Sequence, residues 1–212
     1  MKRWALVSGL QEDLDLYERI QAKLQQQRGI AYLFVLGDLI GPDRNCNALL
    51  TCLRQSKPSD LSPKCIYGWW EDQFLGEKDY CGDCRAESIR EDHGDQAVRQ
   101  LIDAVDDSQL NWLASLQYGF IELDCALIHG SSADVADQLT PYTSPLIFLD
   151  RLTRLDVNRL FTARGKQQFR LELTGGEIHS KVKNHCTEQS NDQTSAEMVS
   201  YRHRWWQELH PV

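Results

Sequence analysis

The chain of 212 residues has no apolar run near the roughly 18 residues that a membrane-spanning helix needs. It has no internal repeat, which excludes solenoids and propellers. It has no excess of basic charge: the formal net charge is −8, and a protein that grips nucleic acid through its bulk charge is basic. It has no long apolar leader with a small-residue cleavage site, so a cytoplasmic protein is expected. The seven cysteines are odd in number and irregularly spaced, which fits reduced thiols rather than a disulfide framework. What is present is globular. Hydrophobic residues make up 42% and charged residues 25%, enough to bury a core and too apolar for disorder.

The opening reads as β-α-β. Residues 5–8 are a short apolar strand ended by Gly9. Residues 12–27 carry Leu14, Tyr17, Ile20 and Leu24 at helical spacing, with Gly29 as the stop. Residues 31–36 are continuously apolar, as in a strand covered on both faces. A helix over 46–53 and a strand over 65–67 follow. Two strands joined by a crossover helix imply parallel pairing, with ligands gathered at the strand C-terminal ends.

Residues 69–107 hold 12 acids against 4 bases, with helices expected at 86–89 and 95–103. A helix over 108–116 precedes two strands, 118–123 and 126–128, and a helix covers 146–155. Strands are expected at 160–162 and 169–173, with a turn at Gly175-Gly176 and a possible further strand at 177–183. Residues 151–183 reverse the charge balance, with 8 bases against 3 acids. In the tail, Met198, Tyr201, Trp205 and Leu209 fall at helical spacing, and Thr194 with Glu197 forms a possible capping box. The organisation expected is one domain over residues 1–186, then a polar linker and a helical C-terminal segment docked on it over 187–212.

Five runs stand at strand ends: WALVSGLQEDL, FVLGDLIGP, CIYGWWED, CALIHGSS and LFTARGKQQF. In order and spacing they resemble the calcineurin-like metallophosphoesterase series, over residues 4–173. Gly37-Asp38-Leu39-Ile40-Gly41-Pro42 resembles the second motif of the small bacterial members. The resemblance implies an α/β fold, a two-sheet β-sandwich flanked by helices in four layers. It also implies two divalent ions, such as manganese or iron with zinc, clamping a phosphate and activating water for in-line attack.

Position by position, the implied ligands are mostly replaced. The first motif's Asp and His fall at Gly9 and Gln11. Asp38 matches the bridging carboxylate, and His129 matches the histidine before glycine. The third motif's Asn and His fall at Trp69 and Trp70, followed by the acid Glu71. The last motif's histidines fall at Arg164 and Lys166. Arginine keeps its proton at ordinary pH and cannot ligate a metal, so Arg164 repels a divalent ion.

Several readings of these residues stand side by side. Asp38 and His129 either hydrogen-bond locally or bind a ligand. Arg164 and Lys166 either clamp an anion, pair with Asp38 or face solvent. Trp69 and Trp70 either fill core or partner surface, or stack on a ring. Cys81 and Cys84 form a lone CxxC, too little for zinc without further ligands. Three functions follow. The first is a non-catalytic binding or scaffold module, a pseudoenzyme with no cofactor, facing a protein partner or a small anionic ligand. The second is a metal-dependent phosphoesterase rebuilt around Asp38 and His129, drawing carboxylates from Glu12, Asp13, Glu71 or Asp72. The third is a metal-free binder of a phosphorylated small molecule. Nucleic acid and membrane are disfavoured as partners.

Overall fold

The computed structural model describes residues 3–42, 46–80, 86–165, 168–174, 177–182, 198–201 and 204–209. Its centre is a five-stranded sheet. Strand β1 (Arg3–Ser8) lies parallel to β2 (Ile30–Leu36), which lies parallel to β3 (Pro63–Ile66). Helix α1 (Leu14–Gln26) makes the first crossover and α2 (Asn47–Arg54) the second. Asp13 caps α1 by accepting a hydrogen bond from the Leu16 N–H at 2.7 Å.

The continuously apolar run in β2 has the burial it implies. Leu33 and Val35 join a core with α1 and α2 that includes Leu16, Tyr17, Leu24, Leu49 and Leu50. Their neighbours Phe34 and Leu36 enter a second cluster with Trp4, Leu6, Ile66, Cys125 and Leu127. Alternate side chains of one strand thus feed two cores.

Helix α3 (Trp69–Glu77) follows β3 directly. It was not expected from the sequence, because it is buried nearly all round and shows no apolar stripe to read. The two expected helices after it are present as two helical stretches of α4 (Glu87–Ala104), separated by a kink at Gly94, whose φ is 81°. Helix α5 (Asp107–Ala114) leads to a second sheet, where β4 (Gly119–Glu122) pairs antiparallel with β5 (Cys125–Ile128). Helix α6 (Pro145–Leu155) carries the chain to β6 (Arg159–Thr162), parallel to β5. A separate hairpin, β7 (Phe169–Thr174) and β8 (Glu177–Val182), meets α6 through Phe169 and Phe148, ring centroids 5.9 Å apart.

The tail corrects the expectation of a C-terminal helix. Met198–Tyr201 is strand β9 and Arg204–Leu209 is strand β10. Strand β10 pairs antiparallel with β1, Trp4 opposite Leu209 and Ser8 opposite Trp205, and so belongs to the central sheet. The segment RWWQEL is rich in strand formers, and β1 would otherwise present an unpaired edge. That edge outweighs the three-and-four spacing of four apolar residues. The tail thus extends the sheet of the first domain instead of docking on it as a separate helix. The expected linker at 187–197 lies outside the described residues, as do Gly175-Gly176, the proposed Thr194–Glu197 capping box, and Cys81, Cys84 and Cys186. Cys46 and Cys125 are buried, Cys52 and Cys65 partly so, and all four are free thiols. No helix among the described residues is long and apolar enough to cross a membrane.

Candidate functional site

Four chain segments converge at the C-terminal ends of β1, β2, β3 and β5. The loop after β1 is hooked onto the loop after β2: the Gln11 N–H donates to the Asp38 carbonyl at 2.9 Å and the Glu12 N–H to the Leu39 carbonyl at 3.1 Å. Gln11, Glu12 and Asp38 all adopt positive φ, at 39°, 68° and 54°. Such backbone is rare outside glycine and tends to mark sites where surrounding structure enforces it.

Glu71, in the first turn of α3, is the hub. Its carboxylate is fully buried and accepts four backbone hydrogen bonds. The Gly68 N–H (2.6 Å) and Asp38 N–H (2.9 Å) reach Oε2, and the Leu39 (2.7 Å) and Ile40 (2.9 Å) N–H groups reach Oε1. One side chain thereby fastens the start of α3 to the loop after β2. Burial, then the charge of Asp38, push its pKa up to about 7, against the pull of those N–H donors. The fastening is possible because Gly37 and Gly68 touch backbone to backbone. A Cβ on Gly68 would lie 2.3 Å from the Asp38 nitrogen, and one on Gly37 would lie 2.4 Å from the Gly68 Cα.

Asp38 and His129 are brought together. The Asp38 Oδ1 accepts from the Trp70 N–H at 3.2 Å and lies 3.4 Å from His129 Nε2. His129 is buried, with Nδ1 2.8 Å from the Leu36 carbonyl, so Nδ1 carries a proton. Its Nε2 is buried without a hydrogen-bond partner among the described residues. In the neutral ring that nitrogen turns a lone pair toward a carboxylate oxygen.

Arg164 completes the cluster. Its N–H donates to the His129 carbonyl at 2.8 Å, fixing it at the end of β6. Its guanidinium carbon sits 4.5 Å from the centroid of the Trp69 ring, a cation–π contact. Burial lowers its pKa, with Asp38 and Asp92 pulling the other way. The ion pair with Asp38, one of the expected arrangements, does not form among the described residues. Trp69 and Trp70 pack edge to face at 4.9 Å, and both are buried in the helical core. Their structural role is thus core packing, with Trp69 doubling as the platform for Arg164. His93 lies beside them, 5.5 Å from the Trp70 centroid. Together with Gln11, Glu12, Gly41, Pro42 and Trp70 it lines a small cavity of about 140 Å³. Lys166 lies outside the described residues.

The structure brings Asp38, His129, Glu71, Trp69, Trp70 and Arg164 together in one cluster. Sequence reasoning did not reveal what Glu71 does, or that His93 joins the aromatic group. The signal for Glu71 was present, since an acid three residues after Gly68 occupies the helix position that reaches back to backbone N–H groups. Of the spare carboxylates considered for a rebuilt metal site, Asp13 caps α1 and Glu71 is filled by N–H donors. Asp72 accepts from the Gln73 amide at 3.3 Å, and Glu12 is buried beside the cavity. Two divalent ions need several anionic or imidazole donors. No group of three or more His, Cys, Asp or Glu able to hold a metal occurs among the described residues, and Arg164 adds a cation that cannot ligate. Among the described residues, Asp38 with His129 falls short of the donor set that two divalent ions need.

No family model matches the chain, and no curated protein matches it. A solved structure does: a metallophosphoesterase from Sphaerobacter thermophilus, 17% identical, with a TM-score of 0.56 over 93% of this chain and 71% of that one. The chain thus has a metallophosphoesterase-like α/β fold.

Proposed function

We propose that this chain is a non-catalytic metallophosphoesterase-like protein that acts as a binding or scaffold module. One observation carries the reading. The guanidinium of Arg164, seated on Trp69, brings a permanent cation to the cleft that holds Asp38 and His129. A divalent ion entering there meets repulsion from a charge that cannot be titrated away. The cluster shared by β1, β2, β3 and β5 supports the finer architecture too, two sheets packed face to face with helices outside. A bacterial, cytoplasmic protein remains the expectation from sequence.

The test is metal loading. The purified protein is incubated with manganese, desalted and analysed by mass spectrometry, and hydrolysis of an aryl phosphate ester is followed in parallel. The reading expects neither stoichiometric metal nor turnover. About two ions per chain, with hydrolysis abolished in Asp38→Ala, would overturn it. A second reading, a metal-dependent phosphoesterase rebuilt around Asp38 and His129, is favoured by the unpartnered Nε2 facing the Asp38 carboxylate. Metal that binds wild type and is lost in His129→Ala, together with hydrolysis, would establish it instead.

A further inference from the structure

We infer that Arg164 is the anchor of a metal-independent site for an oxyanion, a phosphate or carboxylate group on a small molecule. The inference rests on the non-catalytic reading above and names the ligand chemistry of that cleft.

The argument starts from what the guanidinium lacks. Arginine carries five N–H donors and no acceptor. Among the described residues none of these donors makes a hydrogen bond and no carboxylate lies within ion-pair distance. The Nε atom is buried without a partner. Every other described arginine with a substantially buried side chain has found an acceptor: Arg90 pairs with Glu77 at 2.7 Å, and Arg151 with Asp137 at 3.0 Å. The residue as a whole is half-buried, but burying one guanidinium N–H without an acceptor is costly, and native structures avoid it unless the vacancy has a use. Burial already weighs against the charged form of Arg164.

The cation is also held in place. Its backbone is pinned to the His129 carbonyl and its head rests on Trp69. The rotamer freedom that a ligand would otherwise have to remove is already gone. The acid of the site, Asp38, accepts from the Trp70 N–H and makes no ion pair with the guanidinium among the described residues. A fork of N–H donors, fixed in position and poor in acceptors, suits an oxyanion that accepts two parallel hydrogen bonds.

The experiment uses the full chain in the presence of EDTA, so that no divalent ion contributes. Inorganic phosphate and succinate are titrated separately at constant ionic strength, with sodium chloride as the reference. Thermal midpoint and tryptophan emission are read together. The inference expects a saturable rise in midpoint with at least one of the two anions; which one responds identifies the group recognised. Arg164→Met, which keeps apolar contact with Trp69 and removes the donors, is expected to abolish the response. Arg164→Lys, which keeps charge without the fork, is expected to weaken it about tenfold. Arg154→Met, on exposed α6, is expected to leave it unchanged. Absence of any saturable response in wild type overturns the inference, and this outcome does not depend on whether a variant folds. A response of equal size in Arg164→Met also overturns it. Metal loading with turnover would refute the non-catalytic reading separately, because the titration here is done without metal.

Discussion

Replacing Glu71 by glutamine tests whether one buried carboxylate holds the cleft together. The side chain keeps its shape and loses its charge. The carboxylate accepts two N–H groups on each oxygen. The amide keeps one acceptor oxygen and turns an NH₂ group against two of those donors. Two hydrogen bonds to a charged acceptor are lost, each worth about 1.5–3 kcal/mol. Against this loss stands relief from burying a charge next to Asp38, which opposes ionisation of Glu71. Bonds worth roughly 3–6 kcal/mol against a relief of roughly 3 kcal/mol leave a net loss of roughly 1–2 kcal/mol, which for a chain of this size lowers the thermal midpoint by roughly 2–8 °C. Calorimetry at pH 8, where the wild-type carboxyl is ionised, measures it. A fall below about 2 °C would refute the reasoning, because it would mean that the four N–H groups find water or other partners without cost.

The same carboxyl sets a pH slope. Its pKa is held up at about 7 in the folded chain against an ordinary 4.5, so the folded state binds the proton more tightly than the unfolded state. Its contribution to stability is complete below the ordinary value and is lost as pH rises through about 7; Glu71→Gln should flatten that part of the stability–pH profile, and an unchanged profile would assign the slope elsewhere. Gly68→Ala should prevent normal folding, since its Cβ would meet the Asp38 nitrogen at 2.3 Å; a soluble variant with the wild-type midpoint would show that the two loops can part. Gly94→Ala meets open space but must hold φ 81° with ψ 168°, a region nearly confined to glycine, so it should cost about 1–3 kcal/mol in a denaturant titration; no loss would mean that the kink can shift freely. Asp13→Ala removes the α1 cap and should cost about 1 kcal/mol, a shift of about 2–4 °C in a melting curve; no shift would mean the cap is replaced by solvent.

How much of this was legible in the sequence differs from place to place for physical reasons. The β-α-β opening was clear because β2 is apolar on both faces and α1 has a single apolar stripe. Helix α3 was hidden because burial on all sides removes the periodicity that marks a surface helix. The tail was misread because four residues at helical spacing say nothing about an open strand edge far away in the chain. At the cleft, residue types were informative where a position demands one chemistry, as at Asp38 and His129. They were uninformative where backbone is the partner. Nothing in the letters around Glu71 says that four N–H groups from two loops will meet there, because that requires the Gly37–Gly68 contact to exist first.

The closing of β1 by β10 has a consequence for how the protein is made. β10 follows β1 in the chain with every other strand and helix between them, so it leaves the ribosome long after β1. At about 5–20 residues per second, β1 waits roughly 10–40 s with that edge open. During that time its exposed N–H and C=O groups can pair with any passing strand. The nascent chain is therefore at its most vulnerable in a window set by translation rate, and slower synthesis of the last third of the protein should lower the yield of folded product.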